Sequence, residues 1–196
     1  MANLKEIRNR ITSVSSTMQI TSAMKMVSAA KLKKAQDAIT AMRPYADKLT
    51  ELLQSLSATL DADSGSKFST QREVKKVLIV AIASNRGLAG AFNSNIIKEV
   101  NRLTSQTYAS KDVSYIAIGK KANDAFKKTN KVIANKSHIL DDLTFDNVAE
   151  IAQMLMDKFV AGEYDKIEIV YNKFKNAATQ IVTTEQFLPI VPIEGT

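Results

Sequence analysis

The stretch Val77-Leu-Ile-Val-Ala-Ile-Ala83, followed by the turn Ser84-Asn-Arg-Gly-Leu-Ala-Gly-Ala-Phe-Asn93, decides the fold of this 196-residue chain. A short run that is apolar on both faces is typical of a buried parallel strand. The turn contains Gly87 and Gly90, and it leads into a helical stretch that we expect to reach about Leu103. A strand that is followed by a helix in this way indicates the first unit of an α/β domain.

Strands and helices continue to alternate after this unit. We predict strands at residues 113–118, 132–133, 167–171 and 180–187, and helices at about 120–127 and 147–160, the latter capped by Asp146. The predicted fold class is α/β, with a long N-terminal coiled-coil helix followed by a Rossmann-like α/β domain that has a mostly parallel five-stranded sheet.

The residues before this domain show a different hydrophobic periodicity. Residues 3–60 contain no Gly and one Pro, a composition that favours helix. Along the heptad positions 4, 7, 11, 14 and so on to 60, here called the seam, 14 of 17 residues are apolar. The exceptions are Thr21, Lys25 and Ser28. At about 1.5 Å per residue the helix would be roughly 85 Å long, so we expect it to project and its seam to need a partner helix.

Three segments follow from these patterns. Residues 1–60 are the coiled-coil helix, with Asn3 as its N-cap and a bend or break near residues 41–44, because Pro44 removes a backbone donor. Residues 61–73 are a polar linker, and residues 74–196 are the α/β domain.

The basic excess of the chain is concentrated at its N-terminus. The chain has 27 Lys and Arg against 20 Asp and Glu, a formal net charge of +7. Residues 1–36 hold seven basic groups and one acidic group, a net of +6, so the other 160 residues, with 20 basic and 19 acidic groups, carry +1. This excludes a generally cationic surface and leaves either a solvated helix face or a contact with acidic partners.

Motifs for catalysis are lacking in the sequence. There is no Cys, which excludes disulfides and thiolate sites, and the only histidine, His138, has no evident catalytic partner. A dinucleotide fingerprint needs Gly where Asn85 stands, and a P-loop needs Ser or Thr where Lys121 stands. The run Asp61-Ala-Asp-Ser-Gly65 lacks the spacing of a calcium loop and indicates a solvated linker. We predict no catalytic, cofactor or metal site.

Membrane insertion is not indicated either. The longest apolar run, residues 77–83, is far shorter than the roughly 18 residues that span a bilayer. The N-terminus has no apolar signal core, so we expect a chain that begins as a mature protein does.

Five blocks of sequence together resemble the gamma subunit of F-type ATP synthases. The blocks are Leu4-Lys-Glu-Ile-Arg-Asn-Arg-Ile11, Met18-Gln-Ile-Thr-Ser-Ala-Met-Lys-Met-Val-Ser-Ala-Ala-Lys-Leu32, Arg43-Pro-Tyr45, Ser84-Asn-Arg-Gly-Leu-Ala-Gly-Ala-Phe-Asn93 and Tyr171-Asn-Lys-Phe-Lys-Asn-Ala177. The blocks lie in the order of the family, and the resemblance extends over essentially the whole chain.

The resemblance implies a central-stalk rotor, which transmits torque and is not itself catalytic. It implies contacts with the alpha and beta subunits of the catalytic ring, with the epsilon subunit and with the membrane c-ring, and no nucleic acid. The implied location is peripheral, on the cytoplasmic side of the bacterial inner membrane, or alternatively on the matrix side of the mitochondrial inner membrane.

The resemblance also implies partner contacts on the first helix. Arg8 and Arg10 would face the interior of the ring, and Met24 and Lys25 match a pair beside an acidic loop of the catalytic subunit. Lys31 matches the basic residue of the family's A-A-K element.

Three further contacts are implied in the α/β domain. Arg86 and Ala89 lie in the turn that approaches the same acidic segment, and Lys98 follows on the next helix. Ala89 stands where many members have Cys. Members of the family continue into a further long helix, whereas this sequence stops at Thr196, which we interpret as a fragment in preference to a naturally shortened chain.

Two other functions remain alternatives. One is an α/β-domain nucleotide-binding enzyme with a helical oligomerisation arm. The other is a basic helical nucleic-acid binder, although residues 1–44 contain no aromatic side chain on which bases could stack.

Overall fold

The computed structural model describes residues 3–59, 67–129 and 131–191. The chain forms two compact units, Met1–Thr50 and Glu51–Thr196. Residues 61–66 of the predicted linker, including the Asp61–Gly65 run, lie outside the described residues. The predicted segment boundaries therefore stay predictions.

Helix α1 spans Leu4–Thr59. Asn3 caps it as predicted, since the backbone N–H of Lys5 donates to Asn3 Oδ1 at 3.2 Å. The helix continues through Pro44, so the predicted alternative of a break there is wrong, while a bend stays a prediction. A proline removes only one backbone hydrogen bond, and the 56-residue helix has many intact bonds on either side of it.

The seam of α1 faces solvent within the described residues. The large apolar side chains at seam positions from Leu4 to Leu56 are exposed, apart from Ile39, which is half-buried. Burial of one such side chain contributes roughly 1.5–3 kcal/mol. The first helix thus has an exposed apolar seam, interrupted at Thr21, Lys25 and Ser28, that is suited to a partner helix.

Within the described part of the chain, five strands and three helices form the α/β domain. In chain order they are β1 (Lys76–Ile82), α2 (Ala91–Arg102), β2 (Asp112–Ile118), α3 (Lys120–Phe126), β3 (Val132–Asn135), α4 (Phe145–Val160), β4 (Lys166–Asn176) and β5 (Thr179–Leu188). A short π-helix at Leu103–Thr107 follows α2, and short 3₁₀ helices follow α3 and β3.

The strand order of the sheet is β3-β2-β1-β4-β5. The first four strands in this order are parallel, and β5 is antiparallel to β4. The predicted Rossmann-like, mostly parallel, five-stranded sheet is therefore confirmed. The first crossover leaves β1 toward β2, and a later one returns to β4 on the other side of β1. The carboxyl end of β1 is thus the topological switch point, where α/β folds commonly have their sites.

Both faces of β1 are buried, as its doubly apolar sequence predicts. Val77 and Ile79 pack with residues of α2 and α3, whereas Leu78 and Val80 pack with residues of α4. All four side chains are at most 2% exposed. Helices on both faces of the sheet leave its edges and its strand ends as the places where functional groups can be displayed.

Two local predictions need correction. The N-cap of α4 is Thr144, whose Oγ1 accepts from the N–H of Asn147, whereas Asp146 lies in the first turn. Both residue types cap helices well, so the sequence alone did not separate them. Strand β4 extends to Asn176, well past the predicted end at residue 171, because its second half pairs with β5 in a hairpin.

Candidate functional site

The turn between β1 and α2 is held by side-chain hydrogen bonds. The backbone N–H and the hydroxyl of Ser84 both donate to Asn93 Oδ1 at 3.0 Å. The Ser84 position and the first turn of α2 are thereby fixed to each other. The amide of Asn93 also donates to the carbonyl of Arg86 at 3.3 Å. The first and last residues of the block Ser84–Asn93 therefore close the turn.

Asn85 joins this turn to two other strand ends. Its Oδ1 accepts from the N–H of Lys120 at 3.0 Å, and its Nδ2 donates to the carbonyl of Ser137 at 3.2 Å. The buried hydroxyl of Ser137 in turn accepts from the N–H of Gly119 at 3.1 Å. The ends of β1, β2 and β3 are thus hydrogen-bonded to one another at the carboxyl edge of the sheet. We call the turn Ser84–Asn93, together with the bonded residues Gly119, Lys120 and Ser137, the bracket.

The bracket displays Arg86, Leu88 and Ala89 to solvent. Leu88 is fully exposed (109%) and has a positive φ of 57°, a conformation that is uncommon for a residue with a Cβ. The stem of Lys121 lies over Gly87, because a Cβ built there would be 3.6 Å from Lys121 Cε. The turn therefore combines basic groups with an exposed apolar side chain, which suits a partner surface of carboxylates and apolar groups.

The structure brings Arg86 and Ala89 together on this turn and places Lys98 on the exposed side of α2, between the buried Ile96 and Val100. Contact of these three residues with a partner stays a prediction. Sequence reasoning missed Asn85 and Leu88. The signal for Asn85 is a polar residue in the turn, three positions after the end of β1, and the sequence carries no signal for the unusual backbone of Leu88.

The other five predicted contact residues lie on α1 and are exposed. Arg10, Met24 and Lys31 are separated by multiples of seven residues, so they line one edge of the seam. Lys25 occupies the seam itself, and Arg8 flanks its other edge. All five are therefore on or beside the face that a partner helix would cover, rather than on the far side of α1.

A second cluster of titratable groups lies under α2. The hydroxyl of Tyr108 donates to Glu168 Oε1 at 2.6 Å, and Lys166 Nζ is 3.2 Å from the same oxygen. Glu168 is 6% exposed, and its other oxygen has no hydrogen-bond partner among the described residues. The π-helix positions Tyr108 here, because the N–H of Tyr108 donates to the carbonyl of Leu103 at 2.8 Å. The cluster ties the end of α2 to β4 and thus has a structural role.

Replacing Tyr108 with Phe is expected to make the α/β domain less sensitive to alkaline pH. Burial raises the pKa of Tyr108 well above its usual range, and the hydrogen bond and charge of Glu168 raise it further. The unfolded chain therefore loses this proton first, so stability from the neutral phenol is complete below about pH 10 and falls as the pH rises further.

At pH 7 the Tyr108→Phe variant should be about 1.5–3 kcal/mol less stable, because a hydrogen bond to a charged group is lost. This deficit should narrow above about pH 10. Urea unfolding followed by circular dichroism at several pH values from neutral to alkaline measures both effects. Parallel pH curves for the two proteins would contradict the assignment.

Within the described residues, no group of three or more His, Cys, Asp or Glu side chains is arranged to hold a metal ion. None of the helices in the same part of the chain combines the length and the apolar character needed to cross a membrane.

A family model described as ATP synthase matches residues 3–195. The ATP synthase gamma chain of Flavobacterium psychrophilum is 75% identical over 195 residues, which are 100% of this chain and 68% of that protein. The gamma chain of Flavobacterium johnsoniae is 72% identical over 195 residues, with the same two shares.

Solved structures give the same likeness. A chain in the cryo-EM structure of the Tetrahymena thermophila mitochondrial ATP synthase, central stalk and c-ring, superposes with a TM-score of 0.64 at 26% identity. The match covers 87% of this chain and 72% of that one. A chain in the rotor of the Euglena gracilis mitochondrial ATP synthase gives a TM-score of 0.63 at 22% identity over 92% of this chain and 61% of that one, which shows the shared fold alone.

Proposed function

The chain belongs to the family of ATP synthase gamma chains, and we propose that it acts as the central-stalk rotor of an F-type ATP synthase. In this role it transmits torque between the proton-driven membrane ring and the catalytic ring of alpha and beta subunits. The observation that carries the proposal is helix α1. Its 56 residues form a shaft of roughly 84 Å at about 1.5 Å per residue, with an exposed apolar seam.

The proposed partners follow from this role. The seam of α1 packs against a further helix, its basic end lies within the ring of alpha and beta subunits, and the α/β domain contacts the epsilon subunit and the c-ring. The bacterial relatives associate the chain with a membrane ATP synthase complex. We place it on the cytoplasmic side of the inner membrane, as a peripheral and non-catalytic subunit.

Charge explains how such a shaft can rotate. A rotor has to pass between equivalent positions, and long-range attraction between basic and acidic groups changes more gradually with rotation than interlocking apolar contacts do. The seam loses its apolar character at Thr21, Lys25 and Ser28, next to Met24 and Lys31. The polar interruption and the proposed ring contact therefore occupy the same part of α1. We infer that this part slides, while the apolar parts on either side hold the partner helix.

Met24→Lys in the full-length subunit is expected to lower the coupling between ATP hydrolysis and proton transport several-fold. An added cation beside an acidic loop of the catalytic subunit would strengthen attraction in one rotational position and hinder passage to the next. The measurement is the ratio of proton transport to ATP hydrolysis in membrane vesicles.

Met26→Lys is the matched control, because Met26 is 67% exposed against 64% for Met24 but lies away from the seam. Its coupling ratio should stay near that of the unsubstituted protein. Normal coupling in the Met24→Lys complex, or an equal loss in both variants, would remove Met24 from the contact surface.

A further inference from the structure

A second exposed surface lies beside the bracket, in the segment from Leu140 to Glu150. Leu143 and Phe145 are 71% and 84% exposed, and Leu140 and Val148 are also open to solvent. We call residues 140–150 the shoulder. Large apolar side chains grouped on a surface in this way commonly mark a site of protein interaction.

The shoulder has the opposite charge to the rest of the molecule. Its ionisable groups are all carboxylates: Asp141, Asp142, Asp146 and Glu150. One of these carboxylates forms an ion pair, since Lys136 Nζ lies 3.3 Å from Glu150 Oε1. Four carboxylates beside one lysine are a local net charge of −3 in a chain whose formal net charge is +7. The apolar side chains are therefore embedded in a negative surface.

The backbone of the shoulder is well anchored. Ile139, directly before it, is buried in the core on the α4 side of the sheet. The side chain of Asn147 donates to the carbonyl of Asp142 at 2.9 Å, and Thr144 caps α4. Leu143 and Phe145 are thus held outward by ordered structure.

The shoulder is also continuous with the bracket. Asn85 Nδ2, which bonds Ser137, lies 3.5 Å from Asp141 Oδ1. The same edge of the sheet therefore displays a basic turn with an apolar tip and, next to it, an acidic surface with apolar side chains. Adjacent surfaces of opposite sign can fix the orientation of a partner, because a rotated partner would bring like charges together.

We propose that the shoulder docks a protein subunit of the ATP synthase complex whose contact surface is an apolar groove lined by Lys and Arg. This inference rests on the proposed function. The negative charge disfavours anionic lipid and nucleic acid, which attract basic surfaces. It also distinguishes this partner surface from the acidic one proposed for Arg86. Leu143 and Phe145 enter the groove, and the surrounding carboxylates pair with its basic rim.

The test is photo-crosslinking in the assembled complex. The full-length subunit carries p-benzoylphenylalanine in place of Phe145, whose 84% exposure lets the larger side chain be accommodated. The expected result is a crosslink to another subunit of the complex, at a peptide that contains Lys or Arg. Adding Asp142→Lys and Asp146→Lys should lower the crosslink yield about tenfold, while the same probe in place of Ile181, on β5, should be unaffected by them.

Several results would overturn the proposal. They are a crosslink only to lipid or to a second copy of this chain, a yield that charge reversal leaves unchanged, or no crosslink from position 145 while a probe at position 86 does crosslink. If neither position crosslinks and the subunit does not co-purify with the complex, the proposed function fails and the docking proposal fails with it.

Discussion

Gly119→Ala is expected to lower the free energy of unfolding of the α/β domain by about 3–5 kcal/mol, which combines backbone strain with overpacking. Gly119 has a φ of 105°, in a region that residues with a side chain rarely adopt. A Cβ at this position would lie 2.2 Å from the carbonyl oxygen of Ala83. No side chain can rotate away to relieve that contact, because the opposing atom is backbone.

The surrounding hydrogen bonds prevent relaxation by movement of either chain segment. The N–H of Ala83 donates to the carbonyl of Ile118 at 2.8 Å, and the N–H of Lys121 donates to the carbonyl of Ser84 at 3.1 Å. Separating the two strands enough to admit a methyl group would break these bonds as well as the bond from Gly119 to Ser137. The bracket would then lose the close approach of Gly119 to the backbone of Ala83, on which its geometry depends.

Gly90→Ala is the matched control for this prediction. Gly90 also has a positive φ, 55°, but a Cβ there would meet nothing within 4 Å. Its ψ of −135° lies outside the left-handed helical region, so its cost should be only the backbone strain, about 1–3 kcal/mol. Urea unfolding followed by near-ultraviolet circular dichroism, which reports the buried Tyr108 and Tyr115, measures both variants. Equal losses would show that the contact with Ala83 does not control the stability of the bracket.

Much of the fold is predictable because it depends on local periodicity. The doubly apolar run at β1 requires cover on both faces, and the structure provides it with helices on either side of the sheet. The early predicted end of β4 depends instead on pairing between strands. The second half of β4 contains Lys173 and Lys175 and lacks the continuous apolar character of a buried strand, yet it is ordered by pairing with β5.

The candidate site shows the same division. A turn at the end of the first strand, with Arg86 and Ala89 on it, follows from the sequence of strand, glycines and helix. The role of Asn85 does not, because its partners Lys120 and Ser137 are 35 and 52 residues away. The shoulder also escaped prediction, since Leu143 and Phe145 in sequence look like core residues of a helix start. Only the structure shows that they face outward.

Helix α4 carries both a buried core side chain, Phe159, and an exposed shoulder side chain, Phe145. Phe159→Ala is expected to lower the free energy of unfolding by about 3–5 kcal/mol. The ring of Phe159 is fully buried against the sheet, and the guanidinium of Arg72 lies 4.5 Å from its centroid. Its removal would leave a cavity that the sheet cannot close.

Phe145→Ala, on the same helix but 84% exposed, should change stability by no more than about 0.5 kcal/mol. Urea unfolding of the isolated chain distinguishes the two. A large loss for Phe145→Ala would mean that the shoulder supports the fold rather than a partner, and a small loss for Phe159→Ala would contradict the packing of α4 on the sheet.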